Sequence, residues 1–358
     1  MPASLVTVGP RATTDYTPLD DALVELAASG PDLRNGMTSH APMAVEALCA
    51  LGRGDAVPAW LARYRAELLP WPAPRAPIAA DAWRDALAVE ARVSDWRALF
   101  AAELAGAPWR AVLDRWVARL APGFCAAAAH GVIRVGHAVR ALAAGENAGR
   151  VRELGDGLAS WAATYQTLPT ATDGRSRGLS LATALTRVPR LSPTQRRFAG
   201  TITSALAALD QLPAFAPVID LPDWSGDPTA TAAALSELFA RLYLANANSV
   251  LGSIVFVHAV TGVAAVEHLL PHVSEATGRR ALRFAWQTGC ALYAAFGEQP
   301  PAPVAAAPRD GIDPIARAVA HGDGHVIKLT DACLAHASAA HLAAAAHVAD
   351  TLPAASAS

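Results

Sequence analysis

The sequence is nearly devoid of lysine. Its 29 basic residues comprise 28 arginines and one lysine, Lys328. This bias indicates that arginine fills nearly every position that needs only a positive charge. An amine can lose its proton and act as a nucleophile, whereas a guanidinium stays protonated. Composition alone leaves open a surface lysine kept by chance, but the apolar neighbourhood HVIKLTDAC favours a functional role for Lys328.

Paired cysteines are absent as well. Cys49, Cys125, Cys290 and Cys333 are far apart in the sequence and form no CxxC motif. This spacing predicts buried free thiols in a reducing compartment, and therefore a cytoplasmic protein. The first residues show no basic segment followed by an apolar run, so we expect no secretory signal.

Motifs that bind nucleotides or nucleic acids are also missing. The formal net charge is −2, with no basic patch or acidic tail, which argues against nucleic acid as a partner. The sequence has no GxGxxG motif after a strand and no Walker A, GxSxG, HExxH or EF-hand motif. A flavin- or nicotinamide-binding fold within the chain is therefore not supported.

Long apolar runs are limited to one segment. Residues 249–266 (SVLGSIVFVHAVTGVAAV) contain no Asp, Glu, Lys or Arg. The segment is at the short end for a membrane span and carries His258 at its middle. We therefore predict a buried helix in the core of a soluble protein, and no membrane insertion.

Helix signals recur along the chain, and no stretch shows a convincing strand alternation. Alanine, the best helix former, dominates a hydrophobic fraction of 53%. We predict an all-α fold without a significant β-sheet. Capping residues and prolines place the clearest helices at approximately 17–29, 41–51, 122–144, 193–212, 314–320 and 325–350.

The chain is predicted to form a single large multi-helix domain over residues 19–350. An N-terminal extension, 1–18, precedes this domain, and a disordered tail, 351–358, follows it. Segments rich in Thr, Gly, Ser or Pro predict loop insertions at about 168–191, 212–228 and 298–313. No fixed period of 30 to 50 residues indicates a helical repeat.

Five nitrogen-bearing side chains lie in apolar helical segments where a polar group must find a partner. A single histidine in such a place is typical of a hydrogen-bonded core residue. Several on separate helices, together with the lone lysine, indicate a nitrogen-rich site suited to Fe, Zn, Cu or Ni. The candidates are His40, His130, His258, His325 and Lys328.

The remaining histidines are weaker candidates. His321 is a possible substitute ligand because it lies four residues before His325. We expect the others to be peripheral near a helix end (His268, His272) or solvated to partly buried in the last helix (His336, His341, His347).

Several segments resemble the questin oxidase-like family. They are NGMTSHAPMAVEAL, PGFCAAAAHGVIRVGHAVRAL, LASWAATY, VHAVTGVAAVEHLLPH and GDGHVIKLTDAC, and the resemblance covers about residues 19–335. The family is all-helical and includes fungal enzymes of aromatic polyketide pathways and bacterial relatives. These enzymes open rings of anthraquinones and related polycycles, described either as Baeyer–Villiger-type oxidation or as iron-dependent dioxygenation.

The resemblance also implies a cofactor and its ligands. Family membership implies a mononuclear non-haem Fe(II) held by four histidines, with a carboxylated lysine as an additional ligand. Carried onto this sequence, these become His40, His130, His258, His325 and a CO2-derived carbamate on Lys328. The expected partners are O2 and a small aromatic polyketide of the anthraquinone or anthrone type.

This chemistry has a physical rationale. Burial lowers the pKa of a lysine, and the neutral amine can add carbon dioxide to become an anionic oxygen ligand. Arg134 and His137 are candidate catalytic residues that orient substrate oxygens or donate hydrogen bonds to a ligand histidine. An internal polar pair is the alternative for both. Substrate pocket walls are predicted at Met43, Phe124, Trp161 and Tyr165, for which plain core packing is the alternative.

Three other functions stay open. One is a Baeyer–Villiger-type oxidase that needs NADPH or a partner reductase. Another is a helical binding protein without catalytic activity. The third is a zinc hydrolase, in which three or four histidines bind the metal without Lys328.

Overall fold

The computed structural model describes residues 14–304, 313–336 and 338–355. Helices account for nearly all of its regular structure, which confirms the predicted all-α fold. The α-helices are Thr17–Leu26 (α1), Ala41–Ala50 (α2), Val57–Tyr64 (α3), Val93–Gly106 (α4), Trp109–Leu120 (α5), His130–Ala144 (α6), Ala148–Ala163 (α7), Leu181–Thr186 (α8), Ile202–Leu206 (α9), Pro228–Asn246 (α10), Val250–Leu269 (α11), Glu275–Phe296 (α12), Pro314–His321 (α13), Gly324–Leu334 (α14) and Ala339–Thr351 (α15).

One small two-stranded sheet interrupts the helical pattern. Strands Ser29–Leu33 (β1) and Leu68–Pro70 (β2) pair antiparallel, with an irregular register between Ser29 opposite Pro70 and Leu33 opposite Leu68. The strands are too short for an alternating pattern to be visible in the sequence. The two-stranded sheet packs at the edge of the smaller hydrophobic cluster, which α1, α2 and α3 form.

Helices α6 and α11 lie side by side at the centre, with α7 against α6 and with α10 and α12 against α11. Glycine permits the close approach of α6. A Cβ on Gly131 would lie 2.6 Å from the Trp161 Cα of α7, and one on Gly136 would lie 2.6 Å from the Ala265 Cα of α11. Helices α2 and α14 pack beside this central pair. The ends of α2, α6 and α14 and the middle of α11 therefore lie close together.

The apolar helix α11 is buried, as expected for residues 249–266. It and the 3-10 turn Leu270–His272 are long and apolar enough to cross a membrane, with 72% of the apolar window inside the protein. Buried core helices satisfy the same length and composition test. The absence of membrane insertion stays a prediction.

Some predicted helix boundaries are wrong. The helix expected from residue 122 begins only at His130, because Ala127, Ala128 and Ala129 adopt positive φ angles of 46°, 56° and 68°. The helix expected over 193–212 is reduced to α9 and a 3-10 helix, Ala207–Gln211, because polar residues and Gly200 at φ 87° precede the Thr201 cap.

The last predicted helix, 325–350, is two helices. The chain leaves α14 after Leu334, and the Ser338 side chain accepts a hydrogen bond from the His341 backbone to begin α15. Of the predicted loops, 168–191 contains α8, and 212–228 contains a 3-10 helix, Pro213–Asp220. Part of the third, 305–312, lies outside the described residues.

The predicted termini are described only in part. Residues 1–13 of the predicted extension and 356–358 of the predicted tail lie outside the described residues. Within the tail, Thr351 closes α15, Leu352 is buried, and the Ala355 backbone N–H donates to the His321 carbonyl.

Candidate metal centre

The candidate ligands stand on four helices. His40 is the N-cap residue of α2, and His130 is the first residue of α6. His258 lies near the middle of α11. His325 is the second residue of α14, and Lys328 follows one turn later. Three of the four histidines therefore lie at helix N-termini, where the chain turns toward the central helices.

The structure brings the four imidazoles together. The Nε2 atoms of His40 and His130 are 2.7 Å apart, and those of His130 and His258 are 3.4 Å apart. The ring of His325 completes the group, with centroids 4.4 Å from His40 and 5.4 Å from His258. Ring nitrogens of His40, His130 and His325 all lie within 4.8 Å of one another, as ligands of one ion must.

Hydrogen bonds at Nδ1 orient three of the rings. His130 Nδ1 contacts the Ala127 carbonyl oxygen, and His258 Nδ1 lies 2.7 Å from the Ile254 carbonyl oxygen. His325 Nδ1 lies 3.3 Å from the Asp323 carboxylate. Carbonyl oxygens only accept, so Nδ1 of His130 and His258 must carry the proton. Their Nε2 lone pairs then face the other rings, the arrangement that a metal-binding histidine needs.

A strained turn presents His130. Three consecutive alanines, Ala127 to Ala129, adopt left-handed backbone angles, which each cost an L-residue about 1–2 kcal/mol. The turn aims the Ala127 carbonyl at the His130 ring. Strain of this kind persists where surrounding structure enforces it, and it is concentrated at functional sites.

Lys328 is close enough to the four imidazoles for its charge to act on each of them. Its side chain is 1% exposed, and within the described ranges no hydrogen-bond partner reaches Nζ. Burial lowers the pKa of the amine to about 7, although the Asp323 carboxylate acts in the opposite direction. Burial of an amine that has no hydrogen-bond partner destabilises the folded protein. An unpartnered Nζ among the described residues therefore points to a bound group that this atom contacts.

The histidines are held neutral. Burial is the main cause that lowers the pKa of each of them, and it places those of His40, His130 and His258 well below the usual value. The nearby charge of Lys328 lowers the pKa of all four further. His130 and His258 carry their protons on Nδ1, so their Nε2 lone pairs face each other at 3.4 Å and repel unless a cation lies between them. The donor set therefore fits a transition metal ion.

Asp323 is a site residue that the sequence analysis missed. Its carboxylate caps α14 by accepting from the His325 and Val326 backbone N–H groups, and it also contacts the His325 ring. Burial alone would raise the pKa of Asp323, but hydrogen bonds from the His325 ring and from the His325 and Val326 backbone N–H groups lower it to about 2. An acidic residue before a glycine at a predicted helix start is an N-cap signal that could have identified it.

Glycine at position 324 is required by His40. A Cβ there would lie 3.0 Å from His40 Nδ1 and 3.2 Å from His40 Cβ, tighter than ordinary contact. The Tyr64 hydroxyl also fixes this segment, because it accepts a hydrogen bond of 2.8 Å from the His40 backbone N–H. The first turn of α14 is thus fitted to the side chain of His40.

The two predicted catalytic residues have other partners. Arg134 makes a two-pronged ion pair with Glu153, at 2.6 and 2.9 Å, and His137 Nδ1 lies 2.6 Å from Glu46. These hydrogen bonds join helices and do not reach the histidine cluster. The arrangement is the internal polar pairing that the sequence also allowed, and a role in substrate binding stays a prediction.

The predicted pocket walls lie in the core. Met43, Phe124 and Trp161 are at most 2% exposed, and Tyr165 is partly buried. Trp161 Nε1 donates to the Gly123 carbonyl at 2.9 Å, and the Tyr165 ring packs over Gly123. A water-sized cavity in the protein is lined by Glu46, His137, Arg150 and Glu153, among others. The residues of the histidine cluster do not line it. The substrate role of the four residues stays a prediction.

The other histidines lie apart from the cluster. His321 is not a substitute ligand, because its Nε2 contacts the Leu352 carbonyl and its Nδ1 the Asp323 backbone N–H. His341 was predicted to be solvated or partly buried but is 1% exposed, enclosed by Ser236, Ser338 and Glu237. The four cysteines are buried free thiols, as predicted.

Comparison with known proteins identifies the family of the chain. A search of curated proteins finds no match. A family model described as Questin oxidase-like matches residues 37–333, a span that includes all five candidate ligands. The chain therefore belongs to the questin oxidase-like family, which implies an oxidoreductase, an oxidase of polyketide pathways.

Proposed function

We propose that the protein is a non-haem iron-dependent oxygenase that uses O2 to oxidise or cleave a ring of an aromatic polyketide of the anthraquinone or anthrone type. The observation that carries this proposal is the convergence of four neutral imidazoles, together with a buried amine whose charge acts on all four and which has no hydrogen-bond partner among the described residues. Packing alone does not account for this group, because the Nε2 lone pairs of His130 and His258 face each other.

The residues that would hold the metal are His40, His130, His258 and His325, through Nε2. Imidazole suits Fe, Zn, Cu and Ni alike, so the histidines do not select iron by themselves. A harder oxygen ligand favours iron, as in the sites that combine histidine with a carboxylate. Lys328 is the residue that would supply that oxygen.

Lys328 supplies an oxygen ligand after modification. With a pKa of about 7, a substantial fraction of the amine is neutral at physiological pH. Nζ then attacks the carbon of CO2: an N–C bond forms, one C–O π bond becomes an oxygen lone pair, and Nζ releases a proton to water. The product is a carbamate with one negative charge, which would offset half of the charge of a bound Fe(II).

The surrounding residues fix the ring orientations. The Ala127 and Ile254 carbonyls hold His130 and His258 with Nε2 inward, and Asp323 does the same for His325. A bound Fe(II) supplies the one-electron chemistry that allows O2 to react with a closed-shell aromatic ring. The substrate is expected to bind as a phenolate, whose electron-rich ring is the more readily oxidised form.

Oxygen uptake tests the proposal. The protein is first reconstituted anaerobically with Fe(II) and bicarbonate. In the presence of O2, the reconstituted protein should then consume O2 when a hydroxyanthraquinone or hydroxyanthrone is added. Incorporation of both atoms of 18O2 without NADPH indicates a dioxygenase. A strict need for NADPH, with one labelled atom incorporated, indicates the Baeyer–Villiger alternative. Purified protein that binds no transition metal would support the binding-protein alternative.

Variants separate iron from zinc. Lys328→Ala should abolish Fe(II) binding and O2 uptake, because the oxygen ligand is lost. His272→Ala is the matched control, since this partly exposed histidine lies outside the cluster. A Lys328→Ala protein that still binds one Zn(II) tightly and hydrolyses esters would favour the zinc hydrolase.

A further inference from the structure

Arg140 connects three of the helices that carry the candidate ligands. It lies on α6, and its guanidinium bonds the carboxylates of both Glu46 on α2 and Asp331 on α14. Nε lies 2.7 Å from Glu46 Oε1, and Nη2 lies 2.6 Å from Asp331 Oδ2. Both carboxylates are held by two prongs, the geometry that arginine provides and lysine cannot.

The same three helices position the candidate metal ligands. His40 caps α2 six residues before Glu46, and His130 begins α6 ten residues before Arg140. Asp331 lies one turn beyond Lys328 on α14. A shift of any of these helices against the others would therefore change both the Arg140 ion pairs and the distances among the imidazoles.

The ion-pair group is buried. Glu46 is 1% exposed and Asp331 is 5% exposed. Glu46 also accepts from the Tyr16 hydroxyl at 2.6 Å and contacts His137 Nδ1 at 2.6 Å. Oxygen and nitrogen atoms of Glu46, His137 and Asp331 are close enough to hold an ion. Arg140 already bridges the two carboxylates, so the cation of this group is the guanidinium rather than a second metal.

Buried ion pairs are weak evidence for stability, because desolvation offsets much of their attraction. Their best-attested benefit is that they specify one arrangement of the elements that they join. Here the elements joined are those that carry His40, His130, His325 and Lys328. By contrast, the partly buried pair of Arg97 with Asp156 joins α4 to α7, neither of which carries a candidate ligand.

We propose that Arg140 is a positioning residue of the metal centre, which acts through Glu46 and Asp331 to set the relative placement of α2, α6 and α14. This inference rests on the proposed metal-binding function. It predicts that the exact spacing of the imidazoles depends on a side chain that touches neither metal nor substrate.

The test compares Arg140→Lys with Arg97→Lys. Lysine keeps the charge but cannot hold two carboxylates with two prongs each. Co(II) serves as the probe, because its visible absorption bands report coordination geometry without any turnover. Arg140→Lys should weaken Co(II) affinity roughly 10- to 100-fold, the range for residues that support metal ligands, and should shift the bands. Arg97→Lys should bind Co(II) with wild-type affinity and spectrum.

The outcomes are distinguishable. Wild-type protein that binds no Co(II) would overturn the proposed metal site itself. If the wild-type protein binds Co(II), and both variants bind it with the same affinity and spectrum as each other, only the proposed role of Arg140 would be overturned. If Arg140→Lys does not fold, Asp331→Asn takes its place, since it keeps the side-chain size and the Glu46 pair. Unchanged affinity and spectrum in folded Asp331→Asn would equally overturn the proposal.

Discussion

At Lys328, an amine is enclosed where water does not reach it and where no partner among the described residues compensates it. Burial shifts its pKa to about 7, which means that folding works against the charged form. A residue that only served packing would be better replaced by an apolar side chain of similar length. Burial of the Lys328 amine therefore lowers the stability of the fold, and this loss of stability indicates that the residue has a chemical role.

Replacement of Lys328 by methionine should have opposite effects on stability and on metal binding. Without metal, Lys328→Met should raise the free energy of unfolding by about 1–3 kcal/mol, because a buried unpaired polar group costs that much. The same variant should lose Fe(II) binding. Urea unfolding of metal-free protein and metal analysis check the two effects. A variant less stable than wild type would show that the amine has a favourable partner.

At the scale of elements, the close contact of α6 with α7 and α11 positions the site. His130 begins α6 next to Gly131, and His258 lies on α11, whose Ala265 packs over Gly136. The 3.4 Å separation of the His130 and His258 Nε2 atoms depends on how closely these helices approach. Glycines on α6 are thus part of the geometry of the metal centre.

A methyl group at Gly131 should disrupt this packing. Its Cβ would lie 2.6 Å from the Trp161 Cα, a backbone atom that cannot move without its helix. Gly131→Ala should destabilise the protein by about 1–3 kcal/mol or more, the usual cost of overpacking. Gly106→Ala is the control, because a Cβ there meets nothing within 4 Å. Equal thermal stability of the two variants would contradict the close packing.

The junction of α10 with α15 predicts a pH dependence of stability. Burial, and then the charge of His336, lower the pKa of His341 from 6.5 to about 4, although Glu237 acts in the opposite direction. At pH values between about 4 and 6.5, His341 binds a proton in the unfolded chain but not in the folded protein. The His341 contribution to stability is therefore present above pH 6.5 and is lost as the pH falls toward 4.

A His341→Gln variant isolates this contribution. The stability of wild type relative to His341→Gln should fall by an amount on the order of 2 kcal/mol between pH 6.5 and pH 4. His336 titrates with the opposite sign, since its hydrogen bond to Glu267 raises its pKa, but it is present in both proteins. Urea unfolding at several pH values measures the difference. A difference that does not change with pH would contradict the shifted pKa.

For the whole molecule, the fold class and the identity of the converging residues could be predicted from the sequence. The lone lysine, the histidines in apolar helices and the family resemblance all pointed to residues that the structure brings together. The start of α6 could not be predicted, because Ala127 to Ala129 have a strong helix propensity but adopt left-handed angles. The ion pairs of Glu46, Arg140 and Asp331 were also missed, because residues 46, 140 and 331 meet only in the folded chain.

The central claim about this protein is that residues on four helices bind a single metal ion. Crystals grown without oxygen in the presence of Fe(II) and bicarbonate test this directly, through anomalous diffraction at the iron edge. We expect one strong peak bonded to Nε2 of His40, His130, His258 and His325, with electron density for a carbamate continuing beyond Lys328 Nζ. No peak among these imidazoles, or an unmodified Lys328 side chain turned away from them, would contradict the account.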